Sequence, residues 1–226
     1  MIAFENKPEI GKGIYTTPDV AKILGISYDK ANRWIKTYWD GKLSKDFQEH
    51  YSWKVDGSRA ISFHTLIELF VMGQFSDAGV KPNDVIIAHK ELSNAYNSRF
   101  PFALREVIDG MRMDPGRKKI FWEKDGAVAN LNGSKQLNLH FIKLFLIKLD
   151  FDHSNMANKF WPMGKDHSIV IDPERKFGHP ILNGRNIYPE IIHGHFKAGD
   201  SIQFISYIFE ISEKEVKDAI KYCEAA

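Results

Sequence analysis

Between residues 17 and 38 the chain, TPDVAKILGISYDKANRWIKTY, runs through two short stretches of helical hydrophobic spacing separated by a break. Val20, Ala21, Leu24, Ile26, Ala31, Trp34 and Ile35 fall on the inward side. The spacing predicts a first helix from Asp19 to Leu24, a turn at Gly25, and a second helix capped by Ser27 and running to about Tyr38. Ser27, Tyr28, Lys30, Asn32, Arg33 and Lys36 are left facing outward. Small Ala21 at the crossing, Gly25 at the bend and a polar, cationic outer face make this the pattern of a helix-turn-helix.

The pattern then changes period. Residues 40–49 read as a polar connection, and residues 51–62 as a hairpin around Asp56-Gly57, with Lys54 and Arg59 close to its tip. A hairpin directly after a recognition helix is a wing. Helical spacing returns over 63–79, where Phe63, Leu66, Ile67, Phe70 and Val71 share a side, and over 82–97, opened by Pro82. His89 lies on the apolar side of that helix and is expected at the edge of the core, not as a ligand. Ahead of all this, residues 1–13 read as an arm, with Ile14 and Tyr15 leading in as a short strand.

Residues 99–165 read as a small connecting α+β module. They hold a short helix over 102–109, a hairpin around Asp125-Gly126, a helix over 137–149, and an aromatic packing point at Phe160-Trp161-Pro162. Residues 166–226 are more regular. A strand over 168–173 and a β-rich turn over 177–185 precede three helices, at 188–198, 201–208 and 212–223. Ser212 with Glu215 forms a capping box, and Ile202, Ile205 and Ile208 are expected to face Val216, Ala219 and Ile220. The fold class is therefore mainly α with small β hairpins (α+β). A winged helix-turn-helix domain spans 1–98, the connecting module 99–165, and a helix-turn-helix-like three-helix domain 166–226.

Composition narrows the chemistry. With 226 residues, 43% hydrophobic and 13% aromatic, the chain has material for substantial cores. A net charge of +2 neither requires nor excludes a nucleic-acid partner, since local clustering decides that. The single cysteine, Cys223, excludes an internal disulfide framework and fits a reducing cytosol. The first ten residues lack the apolar core of a signal peptide, and the longest apolar stretch, 141–151, is short and interrupted by Lys143, Lys148 and Asp150. A soluble, cytoplasmic protein with no membrane contact is expected.

No Gly-rich phosphate loop, Ser-His-Asp or Cys-His arrangement is present in recognisable context, and the acidic residues are scattered. His193-Gly194-His195 does not make a metal site, because residues two apart on a helix diverge. No catalytic residue, metal or cofactor is expected. What remains is a DNA-binding constellation: Lys30, Arg33 and Lys36 recur every three residues as a cationic stripe. Ser27, Tyr28, Asn32 and Arg33 are candidates for base edges, and Lys22, Lys54 and Arg59 for phosphates. The plain alternative is a solvated helix face beside a core hairpin.

Two resemblances bear on this. Residues Tyr15-Thr16-Thr17, Val20 to Ile26, Arg33-Trp34, the hairpin, and Phe63 to Leu69 followed by Ala78-Gly79-Val80 resemble the MerR-like winged-helix domains. The chain lacks the long coiled-coil helix and thiolate ligands of their metal-sensing members. Ile171-Asp172-Pro173, Gly178-His-Pro-Ile181, Asn183-Gly184-Arg185, Ala198-Gly199-Asp200-Ser201-Ile202 and Ile211-Ser212 with Val216, Ala219 and Ile220 are similar to the domain of unknown function 433, with Asn186 as a departure. That family is found in VapB-like antitoxins, usually encoded beside a PIN-like ribonuclease toxin, the larger ones with a MerR-like domain in front. The resemblance implies a DNA-binding antitoxin of a type II toxin-antitoxin system. It would bind its operator, double-stranded DNA, as a homodimer and neutralise a PIN-like ribonuclease toxin. The alternatives are a stand-alone MerR-like regulator and an interaction module that has lost DNA binding.

Overall fold

The computed structural model describes residues 11–55, 57–114, 119–124, 127–129 and 147–225. Strand β1 (Tyr15–Thr16) leads into α1 (Thr17–Leu24) through a capping box: the Thr16 hydroxyl accepts from the Asp19 amide, and the Asp19 carboxylate accepts from the Thr16 amide at 2.8 Å. Gly25 ends α1 at φ +63, a conformation that glycine adopts without strain, and Ser27 caps α2 (Tyr28–Arg33).

The second helix does not stop near Tyr38, and residues 40–47 are not a polar connection. The chain continues as a π-helix, Trp34–Leu43, followed by α3 (Ser44–Phe47). The reason lies in the apolar positions. Trp34, Trp39 and Leu43 are all buried, at spacings of five and four residues, wider than an α-turn but matched by i→i+5 winding.

Strands β2 (Ser52–Val55) and β3 (Ser58–Ile61) pair antiparallel, and β1 adds to the other edge of β3, with Tyr15 opposite Ile61. Gly57 sits at φ +78 in the turn; Asp56 lies outside the described residues. Ser62 caps α4 (Phe63–Asp77), which is apolar nearly all round and accordingly buried on all sides; α5 (Pro82–Tyr96) packs beside it. His89 is fully buried, not at the edge of the core. Its Nε2 stands 2.6 Å from Glu68 Oε2, which is equally buried, while Glu68 Oε1 accepts from the Phe102 amide at 2.9 Å. The ring is walled edge-on by Trp39, Tyr51 and Phe102.

The same core continues past α5. It takes in Phe102, Val107 and Ile108 from a 3-10 turn and α6 (Arg105–Gly110), then Leu149, Ala157 and Phe160 from the paired strands β7 (Leu149–Phe151) and β8 (Ala157–Phe160). Between them β4 (Met111–Asp114), β5 (Lys119–Lys124) and β6 (Ala127–Ala129) form an antiparallel sheet of order β4-β5-β6. The Asp125-Gly126 turn and most of the helix expected at 137–149 lie outside the described residues; residue 149 itself begins a strand.

A second core, with a small satellite cluster of Trp161, Val170 and Ile181, fills the rest. β9 (Ile169–Val170) pairs with β10 (Ile181–Leu182), followed by α7 (Pro189–Lys197), α8 (Ile202–Phe209) and α9 (Glu213–Ala225). Ile169, Leu182, Ile192, Ile205, Val216 and Ala219 meet in it. Ser212 and Glu215 make the expected capping box, the carboxylate accepting from the Ser212 amide at 2.8 Å. Ile208 does not face α9; it is 40% exposed, because α8 turns only Ile205 fully inward.

The two cores are tied together. The Ile14 amide donates to the Phe177 carbonyl at 2.9 Å, Phe160 and Ile171 exchange backbone hydrogen bonds, and Lys22 pairs with Glu190 at 2.9 Å. The Tyr15 ring lies against Gly178, where an added Cβ would stand 2.0 Å from the phenol oxygen. Burial, with Asp172 and Asp19 nearby, pushes the Tyr15 hydroxyl far above its usual titration range, and among the described residues that hydroxyl finds no hydrogen-bond partner.

Candidate nucleic-acid interface

The positions that α1, α2 and the hairpin leave outward meet around one cleft. Thr17 and Pro18 at the start of α1, Tyr28 and Asn32 of α2, and Lys54, Gly57, Ser58 and Arg59 of the hairpin line a space of about 250 Å³. Tyr28 is exposed, as are Ser27, Arg33 and Lys36 along the same helical run, while Asn32 is half-buried at the cleft wall. Among the described residues no acidic partner is found for Arg33, Lys36 or Lys54. The surface therefore offers three uncompensated cations and two polar side chains around a concavity. That combination suits an extended anionic ligand.

Other residues grouped with these from sequence are placed differently. Lys30 is not on the open stripe: its ammonium lies 4.9 Å over the Trp34 ring and 3.9 Å from Asp77 at the end of α4. Cation–π attraction and the carboxylate hold it against the protein. Lys22 points to the second core and pairs with Glu190. Burial opposes ionisation of Glu190, but hydrogen bonds from His179 and Lys22 outweigh it and hold the carboxyl down at about 2.

Arg59 lines the cleft, yet its guanidinium is committed. Nη1 donates to Asp40 and to Ser52 Oγ, the latter at 2.6 Å. Asp40 also accepts from the Tyr51 and Ser52 amides at 2.9 and 3.1 Å and from Ser52 Oγ. One carboxylate thus fixes the base of the hairpin to the helical run that begins at α2. Sequence reasoning missed Asp40. Its partners lie 11 to 19 residues away, and a polar residue ahead of Gly41 gives no local sign of them.

Among the described residues no cluster of three or more His, Cys, Asp or Glu has metal-holding geometry; His195 pairs with Asp200 at 2.8 Å. Cys223 is half-buried, and burial, with Glu190 nearby, pushes its thiol up to about 11. No helix among the described residues is long and apolar enough to cross a membrane.

Comparison with known proteins adds four findings. Residues 169–223 match the family described as "Protein of unknown function (DUF433)". Over 80 residues the chain is 24% identical to a Mycobacterium tuberculosis protein named "Putative antitoxin VapB45", a stretch covering 35% of this chain and 34% of that one. It is 23% identical to the uncharacterized protein Rv2308 of the same organism, over 94% of this chain and 91% of that one. Among solved structures, the crystal structure of Rv2018 from Mycobacterium tuberculosis superimposes with a TM-score of 0.67, covering 91% of this chain and 96% of that one at 17% identity. That likeness is one of fold. The DUF433 match coincides with the second core, β9 to α9, and leaves the cleft outside it.

Proposed function

We propose that this chain is the DNA-binding antitoxin of a toxin-antitoxin pair. It reads duplex DNA with α2 and the β2–β3 hairpin and neutralises a PIN-like ribonuclease toxin. The observation that carries the DNA half is the cleft. Tyr28 and Asn32 on one wall and Lys54 on the other lie beside exposed Arg33 and Lys36, and none of these cations meets an acidic partner among the described residues. In this reading α1, α2 and the hairpin act as a MerR-like winged helix. α2 enters the major groove, where Arg33 suits guanine and Asn32 adenine, and Lys54 and Lys36 hold phosphates. Arg59 acts by holding the hairpin through Asp40, and Lys30 by bracing Trp34.

Support for the antitoxin half comes from the DUF433 match and the similarity to a protein bearing an antitoxin name. The toxin is taken from what the resemblance implies, and no residue is assigned to it. Co-expression of the tagged chain with the product of its adjacent reading frame tests this half. A co-purifying nuclease, whose growth arrest the chain relieves, is the expected outcome. DNA binding with no partner and no relief would leave a stand-alone regulator.

A further inference from the structure

A cavity of about 180 Å³ lies on the seam between the two cores and shares no lining residue with the DNA cleft. α1 walls it with Asp19, Lys22 and Ile23, α7 with Glu190 and α9 with Tyr222, and residues 176–180 border it. Tyr15 and Tyr222 both line it and are 1% and 4% exposed. Among the described residues neither hydroxyl has a hydrogen-bond partner. Burial first, and nearby carboxylates second, push both phenols far above their usual range, so both keep their protons and stand as donors. A buried donor without an acceptor is costly, and this one cavity has two in its lining.

The bordering loop adds a second sign. Lys176, Phe177 and Gly178 follow one another at φ +49, +55 and +83, all in the left-handed region. Only glycine adopts that region freely, and a bulky residue there stores strain of the kind kept at ligand clamps. The bond from the Ile14 amide to the Phe177 carbonyl, 2.9 Å long, holds the loop in that shape. Phe177 lines the cavity yet is 67% exposed, so its ring stands at the mouth.

We infer that this cavity binds an uncharged, single-ring heteroaromatic molecule whose carbonyl oxygens or ring nitrogens accept from Tyr15 and Tyr222. Size sets the single ring. A dry cavity of about 150 Å³ takes one benzene, so this one suits a ring with small substituents and is too small for a nucleotide. Charge sets neutrality. The lining carries two ammoniums, Lys22 and Lys176, and two carboxylates, Asp19 and Glu190, which balance. Both carboxylates are committed: Asp19 accepts from the Thr16 amide at 2.8 Å, and Glu190 pairs with Lys22 at 2.9 Å and His179 at 3.3 Å. The polar groups left over are therefore donors, which call for acceptor atoms on the ligand. Ile14, Ile23 and Pro180 supply apolar walls, and the Phe177 ring offers a stacking face.

Chemical-shift mapping on the ¹⁵N-labelled full chain tests this, with nicotinamide, uracil and cytosine as probes. At least one should bind with a Kd between about 10 µM and 1 mM, a range open to so small a ligand, and shift the amides of Ile14, Phe177, Gly178 and Tyr222. Toluene has the ring without acceptors, and benzoate and benzylammonium carry charge; each should bind at least about tenfold more weakly. Tyr15→Phe and Tyr222→Phe should each weaken the bound probe about fivefold while the melting temperature holds, because each removes one unpartnered donor. Phe177→Gly should weaken it by a similar factor, also without loss of melting temperature, since left-handed backbone suits glycine. No binding of any of the three probes at about 10 mM overturns the inference, as do shifts centred elsewhere. Toluene, benzoate or benzylammonium binding as tightly as the probes overturns it too, and so do phenol variants that bind like wild type.

Discussion

Replacing Asp40 with alanine removes one carboxylate and unties the hairpin from the helix that begins at α2. The side chain is 9% exposed and receives the Tyr51 and Ser52 amides, the Ser52 hydroxyl and the Arg59 guanidinium. Each hydrogen bond to a charged group contributes about 1.5–3 kcal/mol net, but four on one carboxylate do not add. Breaking a buried pair by deleting one partner costs about 3–5 kcal/mol. Arg59 remains 30% exposed and rehydrates, which places the loss near the lower end, about 3 kcal/mol. With a denaturant slope of about 3 kcal/mol/M, the urea midpoint should fall by about 1 M. Trp34, Trp39 and Trp53 lie in this unit, so tryptophan fluorescence follows its unfolding. Arg59→Gln should cost less, since Asp40 keeps both amides and the Ser52 hydroxyl. In a double-mutant cycle the pair should couple by at least about 1 kcal/mol. A loss below about 1 kcal/mol at unchanged slope, or additive single mutants, would refute the role given to this carboxylate.

Other substitutions test the cores. Gly178→Ala should lower stability by about 1–3 kcal/mol, because Gly178 is at φ +83 and its new Cβ would collide with Tyr15. Tyr15→Phe should leave the melting temperature unchanged or raise it, since it removes a buried hydroxyl that lacks a partner among the described residues. His89→Ala should cost about 3–5 kcal/mol by emptying a fully buried ring site walled by Trp39, Tyr51 and Phe102, and Glu68→Gln less, because it keeps the volume and its amide oxygen still accepts from Phe102; chemical denaturation of the two variants ranks them. Burial opposes ionisation of Asp218, but hydrogen bonds from His167, Lys214 and Ser168 hold its carboxyl down at about 2. A depressed carboxylate stabilises fully above its unfolded pKa of about 4 and loses that stabilisation as pH falls through its folded value. Wild type should therefore exceed Asp218→Asn by about 2 kcal/mol at neutral pH, with the gap closing between pH 4 and 2 in melts.

Local chemistry was the legible part of the sequence. Ser27, Gly25 and the Ser212–Glu215 box act within four residues, so the chain spells them out, and the structure has each in its place. The π-helix was hidden, because Asp40-Gly41 resembles a loop and the burial of Trp34, Trp39 and Leu43 follows a wider period than the α template. Of the candidate interface, Tyr28, Arg33, Lys36 and Lys54 are exposed, as their helical and hairpin positions imply, while Asn32 is half-buried at the cleft wall. The partners of Lys30 and Arg59 could not be read from the sequence, because a charge's partner is set by the fold: Asp77 is 47 positions after Lys30, and Asp40 is 19 before Arg59. Ile208 was misjudged because helical spacing gives a face but not what covers it.

The central claim is that the exposed face of α2 and the hairpin binds duplex DNA. The salt dependence of that binding tests it most directly, by fluorescence anisotropy on the DNA upstream of the reading frame from 50 to 300 mM KCl. Phosphate contacts make the affinity fall linearly on logarithmic axes. Lys36→Ala and Lys54→Ala should each flatten the slope by about 1, Arg33→Ala should weaken binding by about 1–3 kcal/mol, and Lys30→Ala should leave the slope as it is. No binding at 50 mM salt, or slopes identical across these variants, would contradict the account.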